Sequence, residues 1–443
     1  MTPGTQSPRR DDPKVVFSWA LYDWANSAFA TLVVTFIYAT YFTQAIAPDP
    51  VAGTTLWSRA VSVSGLAVAL LSPMAGAMAD RGGRRKRYLA ISTILCVLST
   101  ALLAFVGPSG AGAVLTALVL FVVANVAFEM GMVFYNAFLP IIASEERIGR
   151  VSGYGWGLGY AGGLLCMVIA LVGFVQNATP WFGIGTAEGF NIRATNLLVA
   201  VWFAVFSVPF FIFVRERPGT AAGLDLRGTF HELGQTFRAV RRYREIVKFL
   251  VARLVFNDGL VTVFAFGGIY AAGTFGMPLS EVILFGIVLN VAAGFGAFAF
   301  GFVDDRIGGK KTVLLTLVAL SGATVLATLA PSKPWLWVAG VLIGIFVGPN
   351  QSASRSLMGR FVPEKHQAEF FGFFAFSGKA TSFLGPLLLG TFAGWFHSQR
   401  AGVATVLLFF LLGGGLLASV DEAAGIAAAK TDLQPLGKER GAP

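Results

Sequence analysis

Five ionisable side chains lie inside long apolar runs of this 443-residue sequence, at Asp23, Glu129, Arg253, Asp258 and Lys379. A charged group at membrane depth costs about 2.5–3.5 kcal/mol on insertion scales, so it faces a cavity or a partner and marks a functional site. Three acids and two bases suit a zwitterionic ligand, because a base would bind its carboxylate and an acid its ammonium group. The alternative is that these charges form ion pairs between helices and only hold the helices together.

Spacing places amide side chains beside several of these charges. Asp23 and Asn26 are three residues apart, so they share a helix face. By the 3.6-residue period, Asn125 lies near the face of Glu129, and Asn257 shares a face with Arg253. The expected substrate or proton site therefore consists of nine residues: Asp23, Asn26, Asn125, Glu129, Arg253, Asn257, Asp258, Asn350 and Lys379.

Two of the charges lack an obvious local partner. Asp258 lies about 140° around the helix from Arg253, so those two cannot form a one-turn salt bridge. Lys379 has no acid within four residues and must find one on another helix or in a substrate. Burial among apolar helices disfavours the charged form of an acid, so Asp23, Glu129 or Asp258 could carry a proton.

A second group of charges stands in a short motif between apolar runs, at residues 76–86, and returns 225 positions later at residues 301–311. In both copies an apolar helix ends on an acid, a glycine permits a turn, and cations begin the next helix. We expect a gating role for the fixed positions of both copies: Gly76, Asp80, Arg81, Gly83, Arg84, Arg85, Lys86, Gly301, Asp305, Arg306, Lys310 and Lys311.

The acids of this motif argue for a contact between helices. A carboxylate at the membrane interface can pair with arginines and face the positive N-terminal end of a neighbouring helix. The alternative is that the cations only set topology, but an acid such as Asp80 adds nothing to topology. Gly309 stands where the first copy has Arg84, so we expect the contact made by Asp305 to be the weaker one.

The composition defines the class of protein that must position these side chains. Hydrophobic residues make up 55% of the chain and charged residues only 13%, against about 25% charged in soluble proteins. A net charge of +10 could indicate nucleic acid, but the cations cluster in short loops, which favours lipid headgroups and topology. We expect no nucleic-acid partner, no ATP, since a phosphate-binding glycine loop is absent from the sequence, and no cofactor, metal site or enzymatic nucleophile.

Twelve mainly apolar runs are long enough to cross about 30 Å of hydrocarbon. They predict an all-α polytopic membrane protein with spans over residues 16–43, 58–79, 87–107, 112–138, 151–175, 194–214, 246–274, 280–303, 311–330, 335–357, 368–393 and 401–420. Most of the 33 lysines and arginines fall in the tails and even-numbered loops. By the positive-inside rule, both termini are cytoplasmic.

The repeated motif divides the chain into two six-helix, pseudo-symmetric halves. We expect a cytoplasmic tail, an N-terminal six-helix bundle, a cytoplasmic linker with an amphipathic basic helix, a C-terminal six-helix bundle and a second cytoplasmic tail, over residues 1–15, 16–214, 215–245, 246–420 and 421–443 respectively.

The motif resembles the signature of the major facilitator superfamily, whose substrate site lies at the membrane midplane between the halves. Residues 18–29, supported by 252–259 and 348–355, resemble the branch that contains the vacuolar amino-acid effluxers of autophagy and bacterial relatives of unassigned substrate. The resemblance implies the major facilitator fold, a contact from Asp80 to span eleven, and alternating-access transport of amino acids or small zwitterions, in the inner membrane of a bacterial host and as a monomer.

Two other functions remain open at this point. Export of hydrophobic drugs or metabolites is favoured by the 41 phenylalanines and opposed by the charges inside the spans. A membrane receptor or assembly subunit without transport activity would tolerate neutralisation of every charge in the cavity.

Overall fold

In this computed structural model, regular structure in the described part of the chain is helical. The structure describes residues 10–108, 110, 112–177, 179–216 and 243–431. The fourteen main helices are α1 (Pro13–Ile46), α2 (Pro50–Gly82), α3 (Arg85–Leu103), α4 (Ala113–Ile142), α5 (Ile148–Val175), α6 (Thr195–Phe213), α7 (Arg244–Phe275), α8 (Leu279–Ile307), α9 (Gly309–Leu329), α10 (Lys333–Phe361), α11 (Gln367–Lys379), α12 (Leu384–Trp395), α13 (Gln399–Ala418) and α14 (Glu422–Thr431).

Eleven helices of the described chain are long and apolar enough to cross a membrane. The twelfth expected span, 368–393, is not one helix, because α11 and α12 are separated by turns at 380–383. Pro386 explains the interruption, since it has no N–H to donate and its ring clashes with the carbonyl four residues earlier. The twelve-span, all-α architecture is confirmed, with span eleven formed from α11 and α12 together.

The two halves meet mainly along two helix pairs, α5 against α8 and α2 against α11. Glycine permits the second contact: a Cβ added at Gly76 would collide with the carbonyl oxygen of Ala368, and one at Gly372 with that of Ser72. Small residues allow helix backbones to approach closely in lipid, where apolar burial provides no driving force. Residues 80–86 and 305–311 lie at one end of these helices, which we call the motif face.

Helix α14 lies within the expected C-terminal tail and packs against α10 and α7. Its Gly425 lies against the ring of Phe361, and its Lys430 Nζ is 2.7 Å from Glu145 Oε2 in the other half. This segment is therefore part of the folded molecule. The expected amphipathic helix of the linker lies outside the described residues.

Candidate functional site

The carboxylate of Asp80 joins the two halves at the motif face. Its Oδ1 accepts the backbone N–H of Ala368 at 3.0 Å, and its Oδ2 accepts that of Glu369 at 2.8 Å. These are unpaired donors in the first turn of α11, where the helix dipole favours an anion. Arg85 Nε lies 2.5 Å from Asp80 Oδ1, and Arg85 Nη1 donates to Gln367 Oε1 at 2.6 Å. The arginine therefore binds both the acid and the helix that the acid caps.

Asp305 makes the matching contact from the second copy of the motif. Its Oδ1 accepts the backbone N–H of Gly149 at 2.8 Å and that of Arg150 at 3.2 Å, at the first turn of α5. The side chain of Arg150 also donates to Asp305, with Nε 2.5 Å from Oδ2. Each half thus places one buried motif acid on a helix N-terminus of the other half.

The second contact has more cationic partners than the sequence predicts. A Cβ at Gly309 would lie 2.8 Å from Arg360 Nη1, so the glycine leaves space for an arginine from α10. Arg360 Nη1 is 2.7 Å from Oδ1 of Asp304, and its Nη2 is 3.9 Å from Oδ1 of Asp305. The expectation that the second contact is weaker counted only cations within the motif. It therefore missed Arg360, which is more than 50 residues away in the chain.

Two glutamates cap the helices that follow the motifs. Glu216 accepts the backbone N–H groups of Arg85 and Lys86 at 2.6 and 3.1 Å, and Glu422 accepts those of Gly309 and Lys310 at 2.9 and 3.1 Å. Burial raises the pKa of Glu216, although the two backbone N–H groups act in the opposite direction. Helices α3 and α9 therefore begin on carboxylates supplied by the segments after α6 and α13.

The other motif residues have structural or exposed positions. Gly83 and Gly308 turn the chain with positive φ of 53° and 90°. Lys86 Nζ donates to the carbonyl of Val214 and Lys310 Nζ to that of Ala418. Arg84 lies at the N-cap of α3, Gly301 approaches Arg150, and Arg306 and Lys311 are exposed. The side chain of Arg81 lies outside the described part.

A buried ion pair joins the halves at a deeper level. Arg355 Nη1 of α10 lies 2.9 Å from Asp23 Oδ2 of α1, with side-chain exposures of 2% and 7%. The same guanidinium donates to Asn136 Oδ1 at 3.3 Å and to both the hydroxyl and the carbonyl of Ser152. It also lies 4.8 Å from the ring centroid of Trp19. Asp23 is therefore part of an inter-half ion pair in this conformation.

The sequence analysis missed Arg355 as a site residue. It falls inside the run assigned to span ten, two residues from the predicted end at 357, where a cation reads as part of the next loop. The structure continues α10 to Phe361, which places Arg355 inside the helix. Its small neighbours Ser354 and Ser356 are the signal that could have identified it, because they leave room for close packing around the arginine.

Lys379 finds its acid on another helix, in the other half. Its Nζ lies 2.7 Å from Glu129 Oε1 of α4, with side-chain exposures of 35% and 20%. Arg253 of α7 lies over the ring of Phe374, 3.6 Å from the centroid, and donates to the carbonyl of Phe374 and to Ser377 Oγ. Glu129, Arg253 and Lys379, which we call the charged cluster, gather where α11 ends.

Asp258 is in different surroundings, next to the interruption of span eleven. The residue is 2% exposed, and its Oδ2 has no hydrogen-bond partner among the described residues. The side chain of Thr381, in the turn between α11 and α12, lies beside its carboxyl group. As its position on the helix predicts, Asp258 does not pair with Arg253.

The amides of the predicted site mostly connect helices. Asn257 donates to the carbonyl of Gly378 at 3.0 Å, beside the charged cluster. Asn26 contacts Met132 Sδ and lies 3.5 Å from Asp23 Oδ1. Asn125 donates to Ser64 Oγ, and Asn350 to Thr316 Oγ1. These last two therefore join neighbouring helices within one half.

A cavity of about 440 Å³ lies between the halves, lined by α1, α5, α7, α8 and α10. Its lining is uncharged and includes Ser27, Thr31, Trp156, Tyr160, Asn290 and Gln351. Tyr160 crosses it to donate to Gln351 Oε1 at 3.2 Å. The lining of this cavity contains none of the nine predicted cavity residues. Part of its wall in α1 belongs to the π-helical segment Phe29–Phe36, a helix type that is often found at functional sites.

The order of residues along three helices locates this cavity relative to the motif face. From that face inward, α1 passes Asp23 and then Ser27, α5 passes Ser152 and then Trp156, and α10 passes Arg355 and then Gln351. The Asp23–Arg355 pair therefore separates the cavity from the motif face. In this conformation the halves are in contact on the motif face.

Comparison with known proteins identifies the family to which this chain is similar. The family model described as "Vacuole effluxer Atg22 like" matches residues 51–430. The uncharacterised MFS-type transporter YxiO of Bacillus subtilis is 30% identical over 411 residues, which cover 91% of this chain and 94% of the relative. Autophagy-related protein 22-1 of Penicillium rubens is 28% identical over 68% of this chain and 55% of its own length. The chain thus spans about half the length of that fungal relative.

Solved structures resemble the fold at low identity. The proton:xylose symporter XylE, bound to 6-bromo-6-deoxy-D-glucose, aligns with a TM-score of 0.73 and 12% identity over 95% of this chain and 98% of its own. FucP in the outward conformation aligns with a TM-score of 0.73 and 12% identity, over 93% of this chain and 99% of its own. A bacterial homologue of the iron transporter ferroportin, in its outward-facing state, aligns with a TM-score of 0.68 and 13% identity, over 93% of this chain and 99% of its own. At this identity the likeness establishes the fold alone.

Proposed function

We propose that this chain, which belongs to the Atg22-like family of major facilitator superfamily transporters, moves amino acids or other small zwitterions across the membrane by alternating access. The observation that carries the proposal is the charged cluster, in which two bases and one acid meet between the halves at a partly exposed position. Ionisable groups inside a membrane are functional by default, because their burial is costly.

The cluster matches the two charges of a zwitterion. Lys379 and Arg253 together outnumber Glu129, so a substrate carboxylate is attracted and can replace Glu129 as the partner of Lys379. Glu129 is then free to accept the substrate ammonium group. Charge-assisted hydrogen bonds of this kind are about twice as strong as neutral ones, and after the exchange both Lys379 and Glu129 again face an opposite charge.

The gating motif supplies the contacts that alternate. We propose that Asp80 and Asp305 hold the motif face closed by capping α11 and α5, and that these contacts break when the motif face opens. With both termini in the cytoplasm, as the loop cations favour, the motif face is cytoplasmic and the present conformation is outward-facing. In a bacterial host we place the protein in the inner membrane, as a monomer.

A second candidate function is the export of hydrophobic compounds. The observation in its favour is the uncharged 440 Å³ cavity, whose walls include Trp156, Phe264 and Phe285. A volume of that size and an apolar lining with a few polar groups are typical of sites for drug-sized ligands. The two functions differ in whether binding depends on the charged cluster.

Counterflow in proteoliposomes separates the two candidates. Purified protein is reconstituted and tested with a panel of labelled amino acids, their decarboxylated amines and hydrophobic cations. We expect exchange of one or more amino acids and little exchange of the matching amines, because the amines lack the carboxylate. Exchange of hydrophobic cations alone, with all amino acids inactive, would replace the proposal with drug export.

The variant Lys379→Ala tests the role of the charged cluster. It should abolish amino-acid exchange and spare amine exchange in part, with a modest loss of melting temperature. Leaving one member of a buried pair unpaired costs about 3–5 kcal/mol, and the partial exposure of both side chains reduces that figure. The double variant Lys379→Ala with Glu129→Gln should regain stability but not transport. If Lys379→Ala transports normally, the residue has no part in the mechanism.

A further inference from the structure

We propose that Asp258 is the proton-binding site that couples transport to a proton gradient, and that the interruption of span eleven transmits its state to the charged cluster. This inference rests on the proposed transport function. Asp258 is buried inside the C-terminal half, outside both the gating motif and the 440 Å³ cavity.

The surroundings of Asp258 favour a neutral carboxyl in this conformation. An unpaired buried charge is strongly disfavoured, and the usual result is that the group takes up or loses a proton. Oδ2 has no partner among the described residues, while the Thr381 hydroxyl lies beside the carboxyl and also 3.3 Å from the carbonyl of Leu254. The other two acids of the predicted substrate or proton site differ, since Asp23 and Glu129 are both paired with bases.

The helices packed against α7 provide no countercharge in the described structure. Their charged groups contact other partners or are exposed: Lys379 contacts Glu129, Glu369 contacts His366, Glu281 contacts Lys333, Asp304 contacts Arg360, Asp305 contacts Arg150, Arg355 contacts Asp23, Lys430 contacts Glu145, Glu422 caps α9, Arg400 donates to the carbonyl of Thr328, and Arg306 is exposed. On α7 itself, Arg253 donates to α11, and Lys248 pairs with Glu245. A proton is thus the simplest way to neutralise Asp258.

The interruption of span eleven places Asp258 next to the charged cluster. Residues 380–383 leave the helix immediately after Lys379, and Thr381 lies in that turn beside Asp258. One residue earlier on α7, Asn257 donates to the carbonyl of Gly378. Gly385 of α12 packs directly on Thr262 and on the backbone of Asp258. A change in the protonation state of Asp258 therefore affects the four-residue turn at 380–383, which also positions Lys379.

The cycle conserves protons. Asp258 holds one proton as a neutral carboxyl in this conformation. In the opposite conformation, movement of α11 relative to α12 opens the carboxyl to water, the O–H bond breaks, and the proton leaves to the solvent of that side. The halves then return with the carboxyl ionised, and it takes its next proton from the solvent on the side to which the present conformation opens, before it is buried again. One proton therefore crosses per cycle, and an imposed pH gradient can drive the substrate.

Infrared spectroscopy of the reconstituted protein tests the protonation without any substrate. The difference between wild type and Asp258→Asn should contain the C=O stretch of a protonated carboxylic acid, which decreases as the pH is raised. The matched control Asp23→Asn removes a paired, ionised acid and should remove no such band. Absence of the band at every pH, or its loss in Asp23→Asn instead, would overturn the proposal. Loss of the band when NaCl replaces KCl at fixed pH would assign the site to sodium rather than to a proton.

Transport measurements test the coupling. With labelled leucine as the probe, wild type should accumulate the amino acid when a pH gradient is imposed. Asp258→Asn should still exchange leucine in counterflow, while its gradient-driven accumulation falls to the level seen without a gradient. Accumulation that survives in Asp258→Asn overturns the coupling role. If wild type carries no leucine or other panel compound while the infrared band is present, the proposed substrate class fails and the proton site stands.

Discussion

Two carboxylates, one from each half, make several of the hydrogen bonds that join the halves on the motif face. Asp80 and Asp305 each accept two backbone N–H groups from the first turn of a helix in the other half. A backbone donor at a helix N-terminus has no partner within its own helix, so the acid satisfies groups that would otherwise need water. A water molecule can replace the acid when the halves separate, which suits a contact that must form and break.

Neutralising either motif acid should weaken this closure. We expect Asp80→Asn and Asp305→Asn to lower transport with little loss of expression, and to similar extents, because Arg360 supplies the cation that Gly309 lacks. Each loses a charge-assisted contact worth about 1–3 kcal/mol, which shifts a two-state equilibrium about 5- to 150-fold. Amide hydrogen exchange measures this opening directly. Exchange should be faster at Ala368 and Glu369 in Asp80→Asn, and at Gly149 and Arg150 in Asp305→Asn.

The exposed acid Glu146 provides the control. Glu146→Gln should change neither transport nor exchange at these amides. A large effect of Asp80→Asn beside a silent Asp305→Asn would restore the asymmetry predicted from the motif and would show that Arg360 does not act as the missing cation.

At the scale of helices, the crossing of α2 and α11 depends on glycine. Gly76 and Gly372 bring the two backbones together, and Asp80 lies one turn beyond Gly76 on the same helix. Span eleven itself is divided at 380–383, so α11 packs on α2 while α12 packs on α7 and α13. At this crossing the halves are therefore joined through one part of a divided span.

An alanine at Gly76 should separate α2 from α11. The new Cβ meets the carbonyl oxygen of Ala368, which is backbone and cannot move aside, and overpacking of this kind costs about 1–3 kcal/mol. We expect lower transport and faster exchange at the amides of Ala368 and Glu369. Gly65→Ala on the same helix is the matched control, because a Cβ there meets no atom within 4 Å. Equal behaviour of the two variants would show that the crossing does not need glycine.

At the scale of the whole molecule, the two similar halves are in contact on the motif face, and the 440 Å³ cavity lies between them on the far side of the Asp23–Arg355 pair. The Asp23–Arg355 pair, the motif contacts and the reciprocal terminal contacts Arg10–Glu364 and Lys430–Glu145 all cross between halves on that side. The terminal pairs are exposed and each contributes at most about 1 kcal/mol. The deeper contacts therefore determine the closed state.

Cysteine labelling in intact cells tests the orientation of this face. Cysteines replacing Glu146 and Arg306, which are exposed on the motif face, should react only with reagents that reach the cytoplasm. One replacing Ser332, at the other end of α9, should react from outside. The native Cys96 and Cys166 are buried, so they should contribute little background. Reaction of positions 306 and 332 from the same side would contradict the span order.

The sequence alone determined the all-α class, the number of spans, the division into halves and the presence of charges inside the spans. These follow from local properties, because lipid as a solvent requires about 20 apolar residues per crossing and makes each buried charge conspicuous. The repeated motif likewise stood out because both copies are continuous in the chain.

Tertiary structure alone decided the partner of each charge. Asp23 and Arg355 are 332 positions apart, and neither their spacing nor their helix face identifies the other. The sequence likewise does not show that Lys379 pairs with Glu129, that Arg360 fills the space at Gly309, or that Asp258 has no charged partner. Such pairings depend on how helices of different halves approach one another, which is a property of packing across the interface and not of any one segment of sequence.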